Sequence, residues 1–306
     1  MRFEKYEGLG NDFVLVDETG TDPSHTSPAH SSHPSIDRIA PRVVHICDRH
    51  RGVGADGVLL ILPARSTGAA ATMVVLNADG SRPEMCGNGL RCVAAYLANK
   101  VRSTRSQQDR EQPIELDIDT DAGLKHCVVT GDLVTIDMGT AIDEGLLELT
   151  PSLIVDNSND PRSQGWQAWG LENNTKALRA HKISTGNPHA ILFHAETTAD
   201  TPFERLGSAL TSHRLFPQGS NIEMARVVSP TRIDVRVWER GVGPTLACGT
   251  GACATVVAAV VEGLSLPNQE VCVNLPGGAL FITVDTNLKI TMRGPAKRVF
   301  SGELFS

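Results

Sequence analysis

One four-residue motif occurs twice in the chain, each time directly before an apolar segment with helical character. Cys86-Gly-Asn-Gly89 leads into the Ala-rich segment 90–100, and Cys248-Gly-Thr-Gly251 leads into the segment 252–262. In both halves, short strand-like runs separated by turn signals surround the motif. Two copies of one motif in matching surroundings indicate an internal repeat. The chain is therefore predicted to consist of two similar halves.

Both predicted helices are apolar on every side. Segment 93–98 reads Val-Ala-Ala-Tyr-Leu-Ala, and segment 255–261 consists of Thr, Val and Ala. A helix that is hydrophobic all round is normally buried. Because strands are predicted before and after each helix, we expect a sheet to wrap around it, which makes the fold α+β. Each half also contains a Gly-Asn turn, at Gly10-Asn11 and at Gly186-Asn187.

Length and charge narrow the class of protein. The 306 residues exceed the ~100–200 residues of one ordinary core, which favours two domains. Hydrophobic residues make up 41% and charged residues 21%, a typical globular composition. The formal net charge of −7 provides no basic surface for nucleic acid or for an anionic membrane. No apolar run reaches the ~18–20 residues of a membrane span, and the first residues lack the apolar stretch of a signal peptide. We therefore expect a soluble, cytoplasmic protein with no nucleic-acid or membrane partner.

The seven cysteines are scattered, without a CxxC pair. A disulfide framework belongs to short secreted chains, and a zinc site needs a matching Cys or His pair, so neither is predicted. Residues 19–35 contain three histidines but are expected to form a solvated loop and not a metal site. Five cysteines lie outside the repeated motif and are expected to be buried and inert. They are Cys47, Cys92, Cys127, Cys253 and Cys272.

A cysteine directly before a helix is suited to proton transfer. It meets unpaired backbone N–H groups and the positive end of the helix dipole, which favour the thiolate and lower the thiol pKa. The adjacent glycines leave room for a carboxylate to approach those N–H groups. A single such cysteine is usually a packed core thiol. Two copies that face each other across a cleft place one thiol on each side of a bound carbon, the geometry of racemisation or epimerisation.

At these residues the sequence resembles the diaminopimelate epimerases, nearly from end to end. The motifs that carry the resemblance are Lys5-x-x-Gly-Leu-Gly-Asn-Asp-Phe13, Arg51-Gly-Val-Gly-Ala-Asp56, Asn77-Ala-Asp-Gly-Ser81, Cys86-Gly-Asn-Gly-Leu-Arg-Cys92, Gly186-Asn-Pro-His189, Gly219-Ser-Asn-x-Glu223, Glu239-Arg-Gly-Val-Gly243 and Ala247-Cys-Gly-Thr-Gly-Ala252. Two departures from the family pattern are Gly57, where Gln is usual, and Pro244, where Glu is common.

The resemblance implies an epimerase that interconverts LL- and meso-2,6-diaminopimelate in the biosynthesis of lysine and cell-wall precursors. It implies no cofactor, neither pyridoxal phosphate nor metal, and a homodimer. The implied fold has two pseudo-symmetric domains, each a barrel-like mixed sheet wrapped around a central apolar helix. The expected division is residues 1–139 together with 295–306 for the domain carrying Cys86, and residues 140–294 for the domain carrying Cys248.

The resemblance also implies roles for individual residues. Cys86 and Cys248 are the acid–base pair, and His189 and Glu239 adjust the pKa of the thiols. The backbone cradles for the reacting carboxylate are Gly87 with Asn88 and Gly249 with Thr250. The residues expected to hold the rest of the substrate are Asn11, Asn77, Asn187, Asn221, Glu239 and Arg240.

Several alternatives stay open from the sequence. Asn11 and Asn187 are also typical turn residues, Glu239 and Arg240 also fit a surface ion pair, and His189 also fits a core histidine. Proline or hydroxyproline racemases share the paired cysteines, but the Asn-Ala-Asp-Gly-Ser motif favours diaminopimelate. Two intact cysteine motifs argue against a phenazine-type isomerase. A non-enzymatic protein that binds a dibasic amino acid would need neither thiol.

Overall fold

The computed structural model describes residues 1–20, 33–149, 178–194 and 203–305. Most of the predicted loop 19–35 lies outside these ranges. The described helices are α1 (Pro34–Ile39), α2 (Val43–Cys47), α3 (Gly87–Thr104), α4 (Phe203–Thr211) and α5 (Gly249–Val261). Short 3₁₀ turns cover Ala40–Arg42 and Gln107–Asp109.

The chain divides into two compact units. Unit 1 contains Met1–Asp137 and Arg293–Ser306, and unit 2 contains Met138–Met292. The unit boundaries fall inside the strands Leu133–Thr140 and Lys289–Pro295. The strands are β1 (Arg2–Gly8), β2 (Asn11–Asp17), β3 (Gly57–Leu62), β4 (Ala71–Asn77), β5 (Ile114–Thr120), β6 (Gly123–Thr130), β7 (Leu133–Thr140), β8 (Ile142–Leu149), β9 (Leu178–Ser184), β10 (Pro188–Phe193), β11 (Asn221–Ser229), β12 (Arg232–Glu239), β13 (Gly243–Thr245), β14 (Glu270–Leu275), β15 (Gly278–Val284), β16 (Lys289–Pro295) and β17 (Lys297–Glu303).

Both units pair their strands in the same way. In unit 1 the order is β17-β1-β2-β3-β4-β5-β6, with β2–β3 and β4–β5 parallel and the other pairs antiparallel. In unit 2 the order is β8-β9-β10-β11-β12-β14-β15, with β10–β11 and β12–β14 parallel and the others antiparallel. The third and fourth strands and the fifth and sixth strands are therefore the parallel pairs in both units, which is the structural form of the sequence repeat.

Each parallel pair is joined through a helical crossover, as parallel strands require. In unit 1, α3 connects β4 to β5 and contacts strands β1 to β6 and β17; in unit 2, α5 connects β12 to β14 and contacts β9, β10, β11, β14 and β15. Nearly every residue of α3 from Gly87 to Ala98 is buried, as are almost all residues of α5 up to Ala259. These contacts confirm the α+β prediction of an apolar helix wrapped by a mixed sheet.

A second, smaller helix layer packs on the other face of the sheet in each unit. In unit 1, Ile39 and Ile46 from α1 and α2 pack with Val58 and Leu60 of β3. In unit 2, α4 joins a cluster with β10 and β11. The sequence did not predict α4, β8 or the short strand β13. None of the helices in the described ranges has the length and apolar character that a membrane span requires.

Candidate functional site

Both motif cysteines occupy the same position, the N-cap of the central helix of their unit. Cys86 and Cys248 have extended backbone angles, φ −138° with ψ 111° and φ −123° with ψ 113°. Each sulfur accepts a hydrogen bond from the backbone N–H of the third helical residue, Gly89 for Cys86 and Gly251 for Cys248, at 3.4 Å in both cases. An N-cap side chain normally accepts such a bond, and here the acceptor is sulfur. The repeated motif therefore places a thiol at the positive end of each helix.

The second glycine of each motif is required by packing inside the protein. A Cβ on Gly89 would lie 2.9 Å from Leu59 Cδ2, and a Cβ on Gly251 would lie 2.6 Å from Glu223 Oε1. The sequence-based explanation for these glycines was room for a ligand, and the structure adds a packing requirement at Gly89 and Gly251. Each of them lets a side chain of the neighbouring strand reach the first helical turn.

In unit 1, a hydrogen-bonded pair of asparagines lies beside Cys86. Asn88 follows the cysteine by two residues, and its Nδ2 donates to Asn11 Oδ1 at 3.3 Å. Asn11 Nδ2 donates in turn to Asp56 Oδ2 at 2.6 Å. Asn11 begins β2 directly after a two-residue turn in which Leu9 and Gly10 both have positive φ, 60° and 81°. The turn thus holds Asn11 against the start of the helix.

Charged groups hold this asparagine pair from the outer side. Arg49 donates to both Asp12 and Asp56, at 2.6 and 2.8 Å, and Lys5 pairs with Asp12 at 2.5 Å. Lys5 also donates to the carbonyl of Gly54. Burial acts to raise the pKa of Asp12, but the hydrogen bonds from Arg49 and Lys5 outweigh it and lower the pKa. Asp12 is therefore an anion at neutral pH.

Arg91 is fully buried one turn into α3. Its Nη2 donates to Asn88 Oδ1 at 3.0 Å, and its Nε donates to the carbonyl of Pro295 at 3.2 Å. A buried guanidinium is costly unless its donors are satisfied. Arg91 therefore fixes Asn88 in the orientation that binds Asn11.

Asn77 lies at the end of β4, opposite Gly57 of β3. Its side chain donates to Ser81 Oγ at 2.9 Å within the Asn-Ala-Asp-Gly-Ser turn. A Cβ on Gly57 would lie 2.8 Å from the carbonyl oxygen of Leu76, so the glycine that replaces the usual Gln is fitted to a close approach of the backbone.

In unit 2, a chain of hydrogen bonds leads from Cys248 to a buried His–Glu pair. Cys248 Sγ lies 3.4 Å from Thr250 Oγ1, and Asn187 Nδ2 donates to that same oxygen at 3.4 Å. Asn187 Oδ1 lies 3.0 Å from His189 Nε2. His189 Nδ1 lies 2.6 Å from Glu223 Oε1, and neither side chain is exposed. The structure therefore brings together four of the predicted residues of this unit with Glu223, to which the sequence assigned no role.

Glu239 adds a second carboxylate beside Cys248. It ends β12, accepts a hydrogen bond of 2.6 Å from Thr245 Oγ1 and is hydrogen-bonded to Cys248. Burial, assisted by the nearby charge of Glu223, raises the pKa of Glu239. Burial also raises the pKa of Cys248 well above that of a free thiol, and the negative charges of Glu239 and Glu223 act in the same direction. The expected lowering by the helix terminus is therefore overcome at Cys248, because it is buried among carboxylates.

Asn221 and Arg240 are neighbours at the ends of β11 and β12. The side-chain oxygen of Asn221 accepts a 2.8 Å hydrogen bond from the backbone N–H of Arg240. The exposed Arg240 side chain donates to the carbonyl of Gln218. A Cβ on Gly219 would lie 2.7 Å from Arg240 Cδ, so this glycine gives the arginine stem its path. Among the residues that the structure describes, no ion pair joins the Arg240 guanidinium to Glu239.

The strand registers make the two units comparable residue by residue. Phe13 pairs with Gly57 in unit 1, where His189 pairs with Asn221 in unit 2. Two residues further along β3 and β11, Leu59 corresponds to Glu223, and each contacts the second glycine of its motif. The corresponding side chains are thus Phe13 with His189, Leu59 with Glu223, Asn77 with Glu239, Asn11 with Asn187 and Asn88 with Thr250.

The remaining cysteines are mostly buried, as predicted. Burial raises the pKa of Cys47 to about 11 and that of Cys127 to about 12, and it raises the pKa of Cys92 further. Cys253 is also buried. Cys272 corrects the prediction, because it is partly exposed in β14, where its thiol donates to Asn274 Oδ1 at 3.5 Å.

No group of three or more His, Cys, Asp or Glu in the described part of the chain is arranged to hold a metal ion.

Sequence reasoning assigned no role to five residues that support the unit 1 asparagines. They are Lys5, Asp12, Arg49, Asp56 and Arg91. Four of the five occur within the motifs quoted above, and Arg49 lies two residues before the Arg51–Asp56 motif, so most of the signal was present in the sequence. What the sequence does not contain is which of these residues contact one another.

Comparison with known proteins decides the family. The family described as Diaminopimelate epimerase matches residues 3–142 and 182–299. The chain belongs to the diaminopimelate epimerase family. Among curated members, the diaminopimelate epimerase of Desulfitobacterium hafniense is 40% identical over 311 residues, covering 99% of this chain and 98% of that protein. Diaminopimelate epimerase 1 of a Nostoc species is 41% identical over 313 residues, covering 99% of both chains.

Solved structures extend the likeness of fold beyond this epimerase family. A probable proline racemase from Agrobacterium radiobacter has a TM-score of 0.69 at 14% identity, covering 99% of this chain and 92% of that one. A phenazine biosynthesis protein of the PhzF family from Bacillus anthracis has a TM-score of 0.65 at 17% identity, covering 100% and 99%. At these identities the likeness shows the fold alone. The two racemase and isomerase alternatives thus share the fold, whereas the sequence matches the epimerase family.

Proposed function

We propose that this protein is a diaminopimelate epimerase that interconverts LL- and meso-2,6-diaminopimelate by proton transfer at one α-carbon. The observation that carries the proposal is a pair of cysteines at the N-caps of two equivalent helices, in a chain of the epimerase family. Epimerisation inverts one carbon, so a proton leaves from one side and another arrives on the opposite side. Two thiols, one from each repeat, match that requirement.

Cys248 is the acid of the resting enzyme in this proposal, and Cys86 is the base. Burial and two carboxylates raise the pKa of Cys248, which keeps its proton in place. The Cys86 thiolate then removes the α-proton while Cys248 donates its own proton to the other face. In the reverse direction the roles exchange, because the product complex has the opposite protonation states.

The carbanion that forms between these steps needs stabilisation. An amino-acid α-proton is very weakly acidic, so negative charge develops on the adjacent carboxylate in the transition state. We assign its binding to the backbone N–H groups of Gly87 with Asn88 and Gly249 with Thr250, at the positive ends of α3 and α5. One well-aimed donor of this kind is typically worth about 3–4 kcal/mol.

Polar side chains hold the rest of the substrate in our proposal. Diaminopimelate carries two carboxylates and two ammonium groups, so its site needs both donors and acceptors. We assign this role to Asn11, Asn77, Asn187, Asn221, Glu239 and Arg240. His189 and Glu239 also set the protonation of Cys248, supported by the His189–Glu223 pair and by the bond between Glu239 and Cys248.

The remaining parts of the proposal follow from the family. We infer that the enzyme uses no cofactor, acts in the cytoplasm in lysine and cell-wall precursor biosynthesis, and forms a homodimer. We also infer that residues 1–139 with 295–306 form one functional half and residues 140–294 the other.

Incubation with LL-diaminopimelate in deuterated water tests the function. We expect one deuterium to enter the α-position and the meso isomer to accumulate, as followed by chiral chromatography and mass spectrometry. Incubation with L-proline and trans-4-hydroxy-L-proline in parallel is expected to give no exchange. Exchange of proline instead of diaminopimelate would identify a racemase, and binding of diaminopimelate without exchange would identify a binding protein.

A further inference from the structure

A hairpin turn in unit 1 is hydrogen-bonded to the chain just before Cys86. The turn Asp121-Ala122 joins β5 to β6, and the backbone N–H of Ala122 donates to the carbonyl oxygen of Glu84 at 3.1 Å. Glu84 lies two residues before Cys86. The turn therefore holds the backbone where the chain enters the N-cap of α3.

Unit 2 repeats this contact at the equivalent residues. The turn Pro276-Gly277 joins β14 to β15, and the backbone N–H of Gly277 donates to the carbonyl oxygen of Leu246 at 2.8 Å. Leu246 likewise lies two residues before its cysteine, Cys248. This turn anchor, a turn N–H that donates to the carbonyl two residues before the motif cysteine, is present in both units and so belongs to the repeat.

The side chain beside the turn anchor differs between the units. Each turn is closed by a glycine with positive φ, Gly123 at 93° and Gly278 at 137°. Counting back from these glycines, the first turn residue is Asp121 in unit 1 and Pro276 in unit 2. Proline presets the backbone of the first turn position, which stiffens the turn of unit 2. Asp121 lacks that restriction and offers a carboxylate.

Asp121 uses this carboxylate to bind the same segment a second time. Arg82, two residues before Glu84, donates from Nε and Nη2 to Asp121 Oδ2 at 2.8 and 2.7 Å. The Asp121 side chain is 20% exposed, compared with 39% for Arg82. Exposed ion pairs contribute little on average, but two donors of one guanidinium on a partly buried carboxylate are among the stronger kinds. Where unit 2 has a stiff proline, unit 1 therefore has an ion pair.

The segment 82–85, which leads into Cys86, depends on the turn for its position. Among the described residues, the hydrogen bonds and ion pairs of this segment all lead to the β5–β6 turn. Pro83 lies between the two anchored residues and restricts both its own φ and the backbone of Arg82. Few conformations therefore connect Arg82 with Glu84 while both are held. Loss of the ion pair is then transmitted to Cys86.

Asn77, at the other end of the same connection, is held independently. Its backbone N–H donates to the carbonyl oxygen of Ser81 at 2.8 Å, and its side chain donates to Ser81 Oγ at 2.9 Å. These bonds close the turn between Asn77 and Ser81 without a contribution from Asp121. Loss of the ion pair should therefore affect Cys86 more than Asn77.

We propose that Asp121 is a positioning residue for Cys86. Through Arg82 it fixes the segment 82–85 against the β5–β6 turn, so that the chain enters α3 with the thiol in place at the N-cap. The inference rests on the proposed function in giving Cys86 a part in proton transfer, whereas the ion pair and the turn anchor do not depend on that function.

Arg82→Met tests the proposal, because methionine retains an unbranched apolar stem but has no donor. Hydrogen–deuterium exchange, resolved by NMR, follows two amides: that of Ala122 in the turn anchor and that of Gly89, which donates to the Cys86 sulfur. Exchange of such amides reports local opening. We expect both to exchange about three- to five-fold faster, the effect of losing one favourable ion pair near the surface.

Steady-state kinetics on the same variant separate positioning from folding. We expect kcat to fall by about ten-fold and KM to stay within about two-fold, because a small displacement of a reacting group slows proton transfer without weakening ground-state binding. Arg82→Lys keeps a charged donor and is expected to recover part of kcat. Asp121→Asn removes the charge from the other side of the pair. It is expected to give the same pattern and replaces Arg82→Met if that variant fails to fold.

The matched control is Arg65→Met, since Arg65 binds the other oxygen of the same carboxylate. Its Nη1 lies 3.3 Å from Asp121 Oδ1, and it belongs to the loop between β3 and β4. Arg65→Met removes an arginine from Asp121 but leaves Arg82 in place, so it should change neither the exchange rates nor kcat. The amides of Gly277 and Gly251 in unit 2 should exchange at the wild-type rate in every variant.

Unchanged exchange in Arg82→Met would overturn the proposal, and so would faster exchange with an unchanged kcat. An equal effect of Arg65→Met, or equally fast exchange in unit 2, would mean a general loss of stability and would also overturn it. If wild-type protein does not epimerise diaminopimelate but local exchange rises in Arg82→Met, the function is wrong and the placement of Cys86 by Asp121 stands. If wild-type protein is active and the exchange is unchanged, the function stands and the role of Asp121 is wrong.

Discussion

Arg91 and Asn88 form a hydrogen bond of 3.0 Å inside the protein, within the first two turns of α3. Arg91 is fully buried, and its Nε also donates to the carbonyl oxygen of Pro295. One guanidinium thus connects the returning C-terminal segment of unit 1 to the residue that follows Cys86 by two positions. The consequences for stability and for binding can be measured separately.

Arg91→Lys should lower both the stability of the protein and its affinity for the substrate. A lysine keeps the charge but has no planar fork with which to satisfy Asn88 and Pro295 together. We expect the free energy of unfolding to fall by about 3 kcal/mol, as when a buried charge loses a partner, and KM for diaminopimelate to rise. Chemical denaturation and steady-state kinetics measure the two effects. Arg102→Lys, at the exposed end of the same helix, is the control and should change neither.

Gly251→Ala should reduce activity more than Gly89→Ala. The new methyl group at position 251 would lie 2.6 Å from Glu223 Oε1, whereas at position 89 it would meet the end of the flexible Leu59 side chain at 2.9 Å. The first change displaces the hydrogen-bonded carboxylate, and the second is relieved by a rotation of Leu59. Comparison of kcat for the two variants checks this. Equal losses would mean that Glu223 has no special role behind Gly251.

Cys86→Ala and Cys248→Ala should each reduce epimerisation by at least about 10²–10⁴-fold, the usual contribution of a positioned acid or base. Cys92→Ala and Cys253→Ala remove buried thiols from the same two helices and should stay within a few-fold of wild type. Turnover is measured by chiral chromatography, with folding checked by thermal denaturation. A Cys248→Ala protein with near wild-type turnover would refute the two-thiol assignment.

The dependence of rate on pH should be bell-shaped, because the reaction needs one thiol and one thiolate at the same time.

Arg240→Lys should weaken binding or turnover strongly while leaving both limbs of the pH profile in place. The variant loses the planar fork that binds a carboxylate through two donors, but it keeps the charge. Rate profiles of both proteins across the pH range check this. A shift of both limbs by a unit or more would mean that Arg240 acts beside the thiols and not on the distal carboxylate.

Asp17 should make stability depend on pH in acid. Burial acts to raise its pKa, but bonds from Lys100, Thr19 and Tyr96 dominate and lower the pKa to about 2. A depressed pKa gives stability that is present above the unfolded value of 3.8 and is lost as the pH falls toward 2. Asp17→Asn should therefore cost about 2 kcal/mol at pH 7 and progressively less below pH 4.

Denaturant titrations of wild type and Asp17→Asn at several pH values measure this difference. Tyr96→Phe removes one of the donors, whose Oη lies 2.7 Å from Asp17 Oδ2, and should give a smaller loss with the same pH dependence. A difference that stays constant down to pH 3 would show that Asp17 acts through packing and not through its charge.

The repeat made much of this fold predictable from sequence. The two Cys-Gly-x-Gly motifs located α3 and α5, and the apolar character of both helices indicated that strands surround them. Helix α4 (Phe203–Thr211) escaped prediction because it is short and contains Gly207. A Cβ on Gly207 would lie 2.6 Å from the Trp238 ring, so packing on β12 and not helix propensity explains this residue.

The protonation of Cys248 was predicted in the wrong direction for a similar reason. The sequence shows that the cysteine precedes a helix, and this local feature lowers a thiol pKa. Glu223 and Glu239 are 25 and 9 positions away in the sequence, and only the pairing of β11 with β12 brings both carboxylates to the sulfur. Effects that depend on such non-local pairing are outside the reach of motif and propensity arguments.

Strand β17 has a consequence for the order in which the chain can acquire its structure during synthesis. It pairs with β1, so that Arg2 lies opposite Glu303, whereas unit 2 is one uninterrupted stretch. On the ribosome, unit 2 can therefore complete its sheet before the first unit has received its last strand. At ~5–20 residues per second, β1 waits on the order of 15 seconds or more for its partner. During that interval β1 has an unpaired edge, which makes the nascent first unit a natural client for a chaperone.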